Sequence, residues 1–208
     1  MSLETIEFDR LKLHSRDKIL DLGCGEGRHA ISAYLLADVT VFGVDLSACD
    51  LATARQRLEE FDHKPEHPEH SCTFVRASGL QLPFEDNSFD KVICAEVLEH
   101  IPDYQGMLQE IKRVLRPGGI FAASVPRFFP EWVCWKLSDA YHEVEGGHVR
   151  IFTSGELYRA IESLQMRRFA RHWAHSLHVP YWWLRCLFWE RGKMRPLCAR
   201  IIDFWSGI

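Results

Sequence analysis

The 208-residue chain has no stretch that approaches the roughly 18 uninterrupted apolar residues of a membrane span. Its first residues show no basic segment followed by an apolar run, so the sequence predicts no signal peptide. The seven cysteines are scattered, odd in number and without a Cys-x-x-Cys pair, which argues against a disulfide framework and against a zinc ribbon. These absences favour a cytoplasmic protein with free thiols.

An excess of charge of one sign is also missing, because 25 Lys and Arg stand against 29 Asp and Glu. That balance excludes a strongly basic nucleic-acid coat. The charges are nevertheless segregated: residues 165–208 hold eight basic and two acidic residues, and residues 1–164 hold 17 and 27. All seven tryptophans lie between Trp132 and Trp205. The acidic first part disfavours a nucleic-acid partner, and the basic, Trp-rich end is a candidate interaction surface.

Strand-like and helix-like patterns alternate along most of the chain, which is typical of a parallel sheet covered by helices. The pattern predicts strands at residues 18–22, 39–44, 72–77, 89–95, 120–125 and 165–173, with residues 201–205 as a seventh candidate. Ser47 is a suitable N-cap for the helix that follows the second strand. We therefore predict an α/β, Rossmann-like, doubly wound fold with a mostly parallel, seven-stranded sheet and helices on both faces. Its predicted regions are a core (1–126), an insert (127–150), the end of the core (151–173) and a tail (174–208).

A glycine-rich turn, Asp-Leu-Gly-Cys-Gly-Glu-Gly at residues 21–27, follows the first predicted strand. Glycine is needed where a side chain would block close approach of the backbone to a ligand, and the next helix adds free N–H groups. Dinucleotide-binding folds have a third glycine where this chain has Arg28, which disfavours a nicotinamide-dependent dehydrogenase. Asp45 ends the second strand, where a carboxylate can accept hydrogen bonds from both hydroxyls of a ribose.

Five motifs, in this order, resemble those of class I S-adenosylmethionine-dependent methyltransferases, in particular the type 11, small-molecule branch. They are Ile19-Leu20-Asp21-Leu22-Gly23-Cys24-Gly25, Gly43-Val44-Asp45-Leu46-Ser47, Leu82-Pro83-Phe84 with Asn87-Ser88-Phe89-Asp90, Glu96-Val97-Leu98-Glu99-His100-Ile101, and Leu115-Arg116-Pro117-Gly118-Gly119. The resemblance covers roughly residues 17–165. It implies S-adenosylmethionine as cofactor, S-adenosylhomocysteine as product, and transfer of a methyl group by in-line displacement to a small apolar or aromatic acceptor.

The same resemblance assigns roles to the matching positions. Asp21 would orient the turn and the ammonium group of the cofactor, Asp45 would hold the ribose, and Leu46 would pack on the adenine. The family commonly has an aspartate where this chain has Ser78, a weaker acceptor for the adenine amino group. The predicted cofactor-binding residues are Asp21, Gly23, Cys24, Gly25, Asp45, Leu46, Ser78, Gly79, Leu80 and Glu96.

The insert supplies the candidate catalytic residues, because this fold usually covers the acceptor site there. We take His148 or His142 as a general base, with Arg150 fixing an anionic group of the acceptor. The competing interpretation is a solvated loop in which His148 and Arg150 brace the fold.

A metal site is a further alternative. Glu96, Glu99 and His100 share one face of a helical turn, and with His148 they offer ligands for a divalent cation. Small-RNA 2′-O-methyltransferases and ubiquinone-pathway enzymes are similar in this pattern. The competing interpretation has Glu96 lining the cofactor pocket and His100 packed without a cation, and on that basis we predict no metal.

Aromatic residues crowd the insert and the tail, for which three interpretations stay open. They form a lid over an apolar acceptor, a patch that contacts anionic lipid together with arginines of the tail, or a satellite core in a monomer or homodimer. Two rival functions also stay open: an RNA methyltransferase, and a regulatory protein that binds the cofactor without turnover.

Overall fold

The centre of the computed structural model is a parallel sheet of five strands. The structure describes residues 4–61, 70–137, 147–174, 179, 180, 183 and 186. The strands are β1 (Lys18–Leu22), β2 (Thr40–Asp45), β3 (Ser71–Arg76), β4 (Phe89–Ala95) and β5 (Leu115–Ser124). They lie side by side in the order β3-β2-β1-β4-β5. The chain therefore builds the sheet outward in one direction from β1 and then in the other.

Helices connect strands of the sheet, and further helices precede β1 and follow β5 in the chain. They are α1 (Phe8–Leu11), α2 (Arg28–Leu36), α3 (Ala48–Glu59), α4 (Tyr104–Val114), α5 (Phe128–Leu137) and α6 (Ser154–Glu162). The predicted cap at Ser47 is confirmed, since its hydroxyl accepts a hydrogen bond from the N–H of Asp50 at 3.2 Å. Within the described ranges, no helix has both the length and the apolarity that crossing a bilayer requires.

Each face of the sheet has its own hydrophobic core, because successive side chains of a strand point to opposite faces. On one face, Leu20 and Leu22 pack with side chains of α4 and α6, namely Met107, Leu108, Ile111, Val114 and Leu157. On the other face, Ile19 packs with residues of α2 and α3, namely Ala30, Ile31, Ala33, Leu51 and Ala54. Helices therefore cover both faces, which confirms the predicted α/β, Rossmann-like class.

The strand count differs from the predicted seven. The segment at residues 165–173 forms no strand, and the candidate seventh strand at 201–205 lies outside the described residues. His142, a candidate general base, also lies outside them. A strand inside a parallel sheet needs apolar side chains on both faces. Here the arginines of the segment project onto aromatic rings instead, with Arg168 4.2 Å from the centre of the Tyr158 ring and Arg171 3.9 Å from that of Trp173.

The fifth motif, Leu115-Arg116-Pro117-Gly118-Gly119, lies within β5. Pairing with β4 runs from Phe89 opposite Leu115 to Lys91 opposite Ile120, so the intervening residues of β5 bulge outward. Gly118 has a φ of +79° in this bulge, a conformation that favours glycine.

The Leu82-Pro83-Phe84 motif has a structural role in this chain. Arg113 of α4 donates hydrogen bonds to the carbonyl oxygens of Phe84 and Leu82, at 2.7 and 3.1 Å. In return, the carboxylate of Glu110 accepts the N–H of Leu82 at 2.8 Å. These bonds hold the segment before β4 against the helix that follows β4.

Candidate cofactor and acceptor site

The carboxyl ends of β1, β2 and β4 meet at one edge of the sheet. Because β1 is paired with β2 on one side and β4 on the other, this edge is where the strand order reverses. Ligands of open α/β sheets bind in the crevice at such a reversal. The glycine-rich turn after β1, Asp45 at the end of β2 and Glu96 after β4 are therefore neighbours.

The three glycines of the turn all have positive φ, yet only one faces open space. A Cβ atom on Gly23 would lie 2.3 Å from Val97, and one on Gly27 would lie 2.9 Å from Phe74. A Cβ atom on Gly25, whose φ is +50°, would meet nothing within 4 Å. Gly25 is thus the position where a ligand can approach the backbone. The thiol of Cys24 packs inward, with the residue 8% exposed.

Asp45 connects three elements through its carboxylate. One oxygen accepts the N–H of Gly25 at 2.8 Å, and the other accepts the N–H of Ser47 at 2.8 Å. Each carboxylate oxygen can accept a further hydrogen bond, as binding of two ribose hydroxyls requires. Leu46, which is 60% exposed, stands beside this carboxylate as the predicted adenine contact.

Asp21 lies beneath the turn instead of on its surface. It is 1% exposed, and its carboxylate accepts the N–H of Ala30 at 2.9 Å, which fixes the first turn of α2. Desolvation raises the pKa of Asp21 from 3.8 to about 7. The residue orients the turn, and the predicted contact with an ammonium group stays a prediction.

The segment of Ser78, Gly79 and Leu80 forms a tight turn. The hydroxyl of Ser78 accepts the N–H of Leu80 at 3.2 Å. A Cβ atom on Gly79 would lie 2.4 Å from the terminal methyl group of Met107, so a larger residue there would displace that side chain. The predicted adenine contact of this segment stays a prediction.

Glu96 has a φ of +57°, which is uncommon for a residue other than glycine and is often found at functional sites. Its N–H donates to the carbonyl oxygen of Ser124 at 3.0 Å, and its carboxylate accepts the Ser124 hydroxyl at 2.7 Å. The Thr5 hydroxyl is hydrogen bonded to the same Ser124 hydroxyl at 2.8 Å. Desolvation raises the pKa of Glu96.

Next to Glu96 lies an acid–imidazole cluster formed by Glu99, His100, Glu131 and His148. The Nδ1 atom of His148 lies 2.5 Å from a carboxylate oxygen of Glu131, which also accepts the indole N–H of Trp135 at 3.1 Å. The Nδ1 atom of His100 lies 3.3 Å from the carbonyl oxygen of Gly147. Both imidazole rings are thus oriented through Nδ1.

Three residues of this cluster have the arrangement of cation ligands. Glu99, His100 and His148 can each offer one ligand atom within 4.8 Å of the others. Glu99 is 1% exposed, and within the described part of the chain neither of its carboxylate oxygens has a hydrogen-bond partner. Burial and the nearby Glu96 raise the pKa of Glu99 to about 9. The structure thus brings together three of the four ligands considered from the sequence, while Glu96 is held by Ser124.

Arg150 braces the wall of the site. Its guanidinium donates to the carbonyl oxygens of Leu98 at 3.0 Å, Pro102 at 2.8 Å and also Ile101, and it stacks on Tyr104. This geometry favours the bracing interpretation of Arg150. Binding of an anionic group stays a prediction.

A cavity of about 1180 Å³ begins at the acid–imidazole cluster and extends along β5. Aromatic residues form another part of its wall, namely Phe128 and Phe129 of α5, Trp173 and Trp183. The glycine-rich turn and Asp45 do not line this cavity. Glu96 lines the cavity and follows β4, and β4 is paired with β1, whose end carries the glycine-rich turn, so the predicted cofactor crevice adjoins the cavity.

Thr5, Ser124 and Glu131 belong to none of the motifs recognised in the sequence, and their place in the site was missed. Glu131 carried a usable signal, since it is the single acidic residue in the aromatic helix α5 and is only 5% exposed. Buried carboxylates are almost always paired, so an acid in such a segment indicates a partner elsewhere. Thr5 and Ser124 carried no comparable signal.

The fold and this edge of the sheet define a Rossmann-like protein. A family model described as "Methyltransferase domain" matches residues 20–123, half of the chain. The chain belongs to this type 11 methyltransferase family, and S-adenosylmethionine is its cofactor.

Individual relatives agree with this assignment. The chain is 33% identical over 147 residues to sterol 24-C-methyltransferase erg6 of Aspergillus fumigatus, covering 71% of this chain and 35% of that protein. It is 37% identical over 112 residues to 27-O-demethylrifamycin SV methyltransferase of Amycolatopsis mediterranei, covering 54% and 39%. Its fold is similar to that of the YcgJ protein from Bacillus subtilis, with a TM-score of 0.67, 20% identity and coverage of 93% and 78%. The chain spans little more than a third of the length of the sterol and demethylrifamycin methyltransferases.

The burial of Asp21 predicts a pH-dependent stability. Because the pKa of this carboxyl is higher in the folded chain than in the unfolded chain, its contribution to the free energy of unfolding is full at acid pH. That contribution falls between pH 3.8 and about 7. We expect Asp21→Asn, which keeps an oxygen for the N–H of Ala30, to match the wild type at pH 4 and exceed it at pH 8. Within this range the two should diverge by about 1.4 kcal/mol per pH unit in urea unfolding. Parallel pH profiles, as expected for the exposed control Asp9→Asn, would contradict the buried role.

The open face of Gly25 predicts a selective loss of cofactor binding. Gly25 and Gly118 both have positive φ, and a Cβ atom added to either would meet nothing within 4 Å, so alanine imposes similar strain at each, about 1 kcal/mol. We expect Gly25→Ala to weaken binding of S-adenosylhomocysteine by roughly tenfold or more, about 1.4 kcal/mol, in titration calorimetry. Gly118→Ala should bind like the wild type, and equal affinities for all three proteins would refute the assignment.

Proposed function

We propose that this chain is an S-adenosylmethionine-dependent methyltransferase that acts on a small apolar or aromatic molecule. The observation that carries the proposal is the position of Glu96, which lines the cavity and follows β4, beside the strand that leads into the glycine-rich turn. Methyl transfer from a sulfonium is an in-line displacement, so the protein must hold donor and acceptor on opposite sides of the moving carbon. Two adjoining spaces with one shared boundary meet this requirement.

The walls of the cavity support the acceptor class. Phe121, Phe128, Phe129 and Trp183 present apolar surface to the space, and such surface favours an apolar ligand. The named relatives, a sterol methyltransferase and a demethylrifamycin methyltransferase, point the same way. The net acidic first part of the chain disfavours an RNA acceptor.

His148 is the proposed general base. A carboxylate on Nδ1 fixes the ring so that Nε2 can accept a proton, and it stabilises the imidazolium that results. Glu131 supplies this carboxylate at 2.5 Å. Both residues lie in the wall of the cavity next to Glu96. An oxygen or nitrogen acceptor would lose its proton to Nε2 as the methyl group arrives.

We propose the cytoplasm as the location, because the described cysteines are free thiols.

The role of His148 predicts a loss of turnover with cofactor binding intact. We expect His148→Ala to lower the rate by on the order of a hundredfold, a common contribution of a general base. The assay follows radiolabelled methyl transfer from S-adenosylmethionine into products extracted with organic solvent, with a cellular lipid extract as acceptor source. The exposed His14→Ala is the matched control and should behave like the wild type. Failure of wild-type turnover with every extract, together with tight cofactor binding, would favour the regulatory alternative.

A second role for His148, as a ligand of a divalent cation, is favoured by the unpartnered carboxylate of Glu99. Nε2 cannot serve as base and ligand at once, so a chelator separates the two roles. We expect turnover to survive dialysis against EDTA, with elemental analysis showing no bound metal at the end. Loss of turnover that Mg²⁺ or Mn²⁺ restores would instead assign Glu99, His100 and His148 as a cation site.

A further inference from the structure

Four large aromatic side chains are exposed at or beside the cavity, and we call them the aromatic rim. Phe128, Phe129 and Trp132 of α5 are 46%, 62% and 43% exposed, and Trp173 is 55% exposed. The Phe129 and Trp132 rings stack with their centres 6.3 Å apart. Arg127 joins the rim residue Trp173 to the start of α5, with its guanidinium 4.5 Å from the centre of the indole ring. Contiguous exposed aromatics of this kind mark an interaction surface.

Positive charge is held at this rim without a neutralising acid. Arg127 and Arg171 both stack on Trp173, and Arg168 stacks on Tyr158. Among the described residues, none of these three arginines forms an ion pair with a carboxylate. By contrast, carboxylates lie within ion-pair distance of some arginines away from the rim, namely Arg10, Arg57, Arg113 and Arg116. The arginines of the rim therefore keep their hydrogen-bond donors for an anion outside the chain.

We propose that the aromatic rim and its three arginines seat this protein on the surface of an anionic phospholipid bilayer. Tryptophan and phenylalanine enter the boundary between headgroups and acyl chains, while arginine donates to the phosphates. A protein partner would normally present a mixed polar border with charges of both signs. The rim instead combines exposed aromatic rings with charge of one sign, which is the complement of an anionic lipid surface.

Docking at the rim would also place the cavity against the lipid. Phe128, Phe129 and Trp173 of the rim also line the cavity. An apolar acceptor dissolved in the bilayer would enter there without crossing water. This last point rests on the proposed function, whereas lipid binding itself does not.

The test is sedimentation of the full chain with vesicles of phosphatidylcholine, alone or mixed with phosphatidylserine. We expect binding to the mixed vesicles that weakens as salt is raised, and little binding to phosphatidylcholine alone. Arg168→Gln with Arg171→Gln should weaken binding to the mixed vesicles by about fivefold per arginine. Phe129→Ser with Trp132→Ser should weaken it at every salt concentration.

Matched controls lie away from the rim. Leu36→Ser with Phe61→Ser removes two apolar side chains that are 61% and 48% exposed, and Arg16→Gln with Arg57→Gln removes two exposed charges. Both controls should bind vesicles like the wild type. Calorimetry with S-adenosylhomocysteine checks that each variant keeps its folded cofactor site.

Several outcomes would overturn the proposal. The first is wild-type protein that binds neither kind of vesicle, and the second is rim variants that bind vesicles as well as their controls do. The third is wild-type protein that light scattering shows to be a dimer, when the aromatic variant alone is a monomer and does not bind vesicles. The last result would assign the rim to a second copy of this chain. Vesicle binding without methyl transfer would leave the docking surface intact and remove the proposed function, so the two failures are distinguishable.

Discussion

The hydrogen bonding of β1 on both of its edges is the constraint on which the site depends. Parallel pairing brings the carboxyl ends of β2, β1 and β4 to one line, so Asp45, the glycine-rich turn and Glu96 meet although they are far apart in the chain. The carboxylate of Asp45 then joins the turn to the start of α3 through two N–H groups. Neither contact exists unless the strands are in register, which ties the cofactor crevice to the hydrophobic cores on the two faces.

Burial of carboxyl groups sets the chemistry next to this crevice. Glu96 and Glu99 follow β4 directly and are withdrawn from water, so their pKa values rise and each opposes ionisation of the other. Glu131 reaches the same place from α5 and binds His148. The aromatic helix and the acid–imidazole cluster are therefore parts of one unit, because the buried acid of the helix is also the partner of the imidazole.

The sequence predicted the strand-and-helix core well, because local signals determine it. The alternation of strands and helices, the cap at Ser47 and the glycines of the turn each express a backbone requirement within a few residues. The pairing of Glu131 with His148 depends on how the insert folds back, which no spacing rule encodes. The prediction of a strand at residues 165–173 was wrong because the conformation of this segment depends on distant residues. Its arginines stack on Tyr158 and Trp173, and such long-range contacts override local preference.

The bonds of residues 147–150 have a consequence for how a ligand moves in and out. Val149 donates its N–H to the carbonyl oxygen of Glu99, and Arg150 binds three carbonyl oxygens after β4. This side of the cavity is fastened to the sheet at several points, and displacing it would break all of these bonds together. The opposite side, at α5 and residues 165–174, is held by stacked rings and also by hydrogen bonds, among them those of Glu131 with His148 and of His172 with the carbonyl oxygen of Thr5. A ligand that displaced α5 would therefore break the contact of Glu131 with His148, so passage through that side of the cavity and the orientation of the imidazole are coupled.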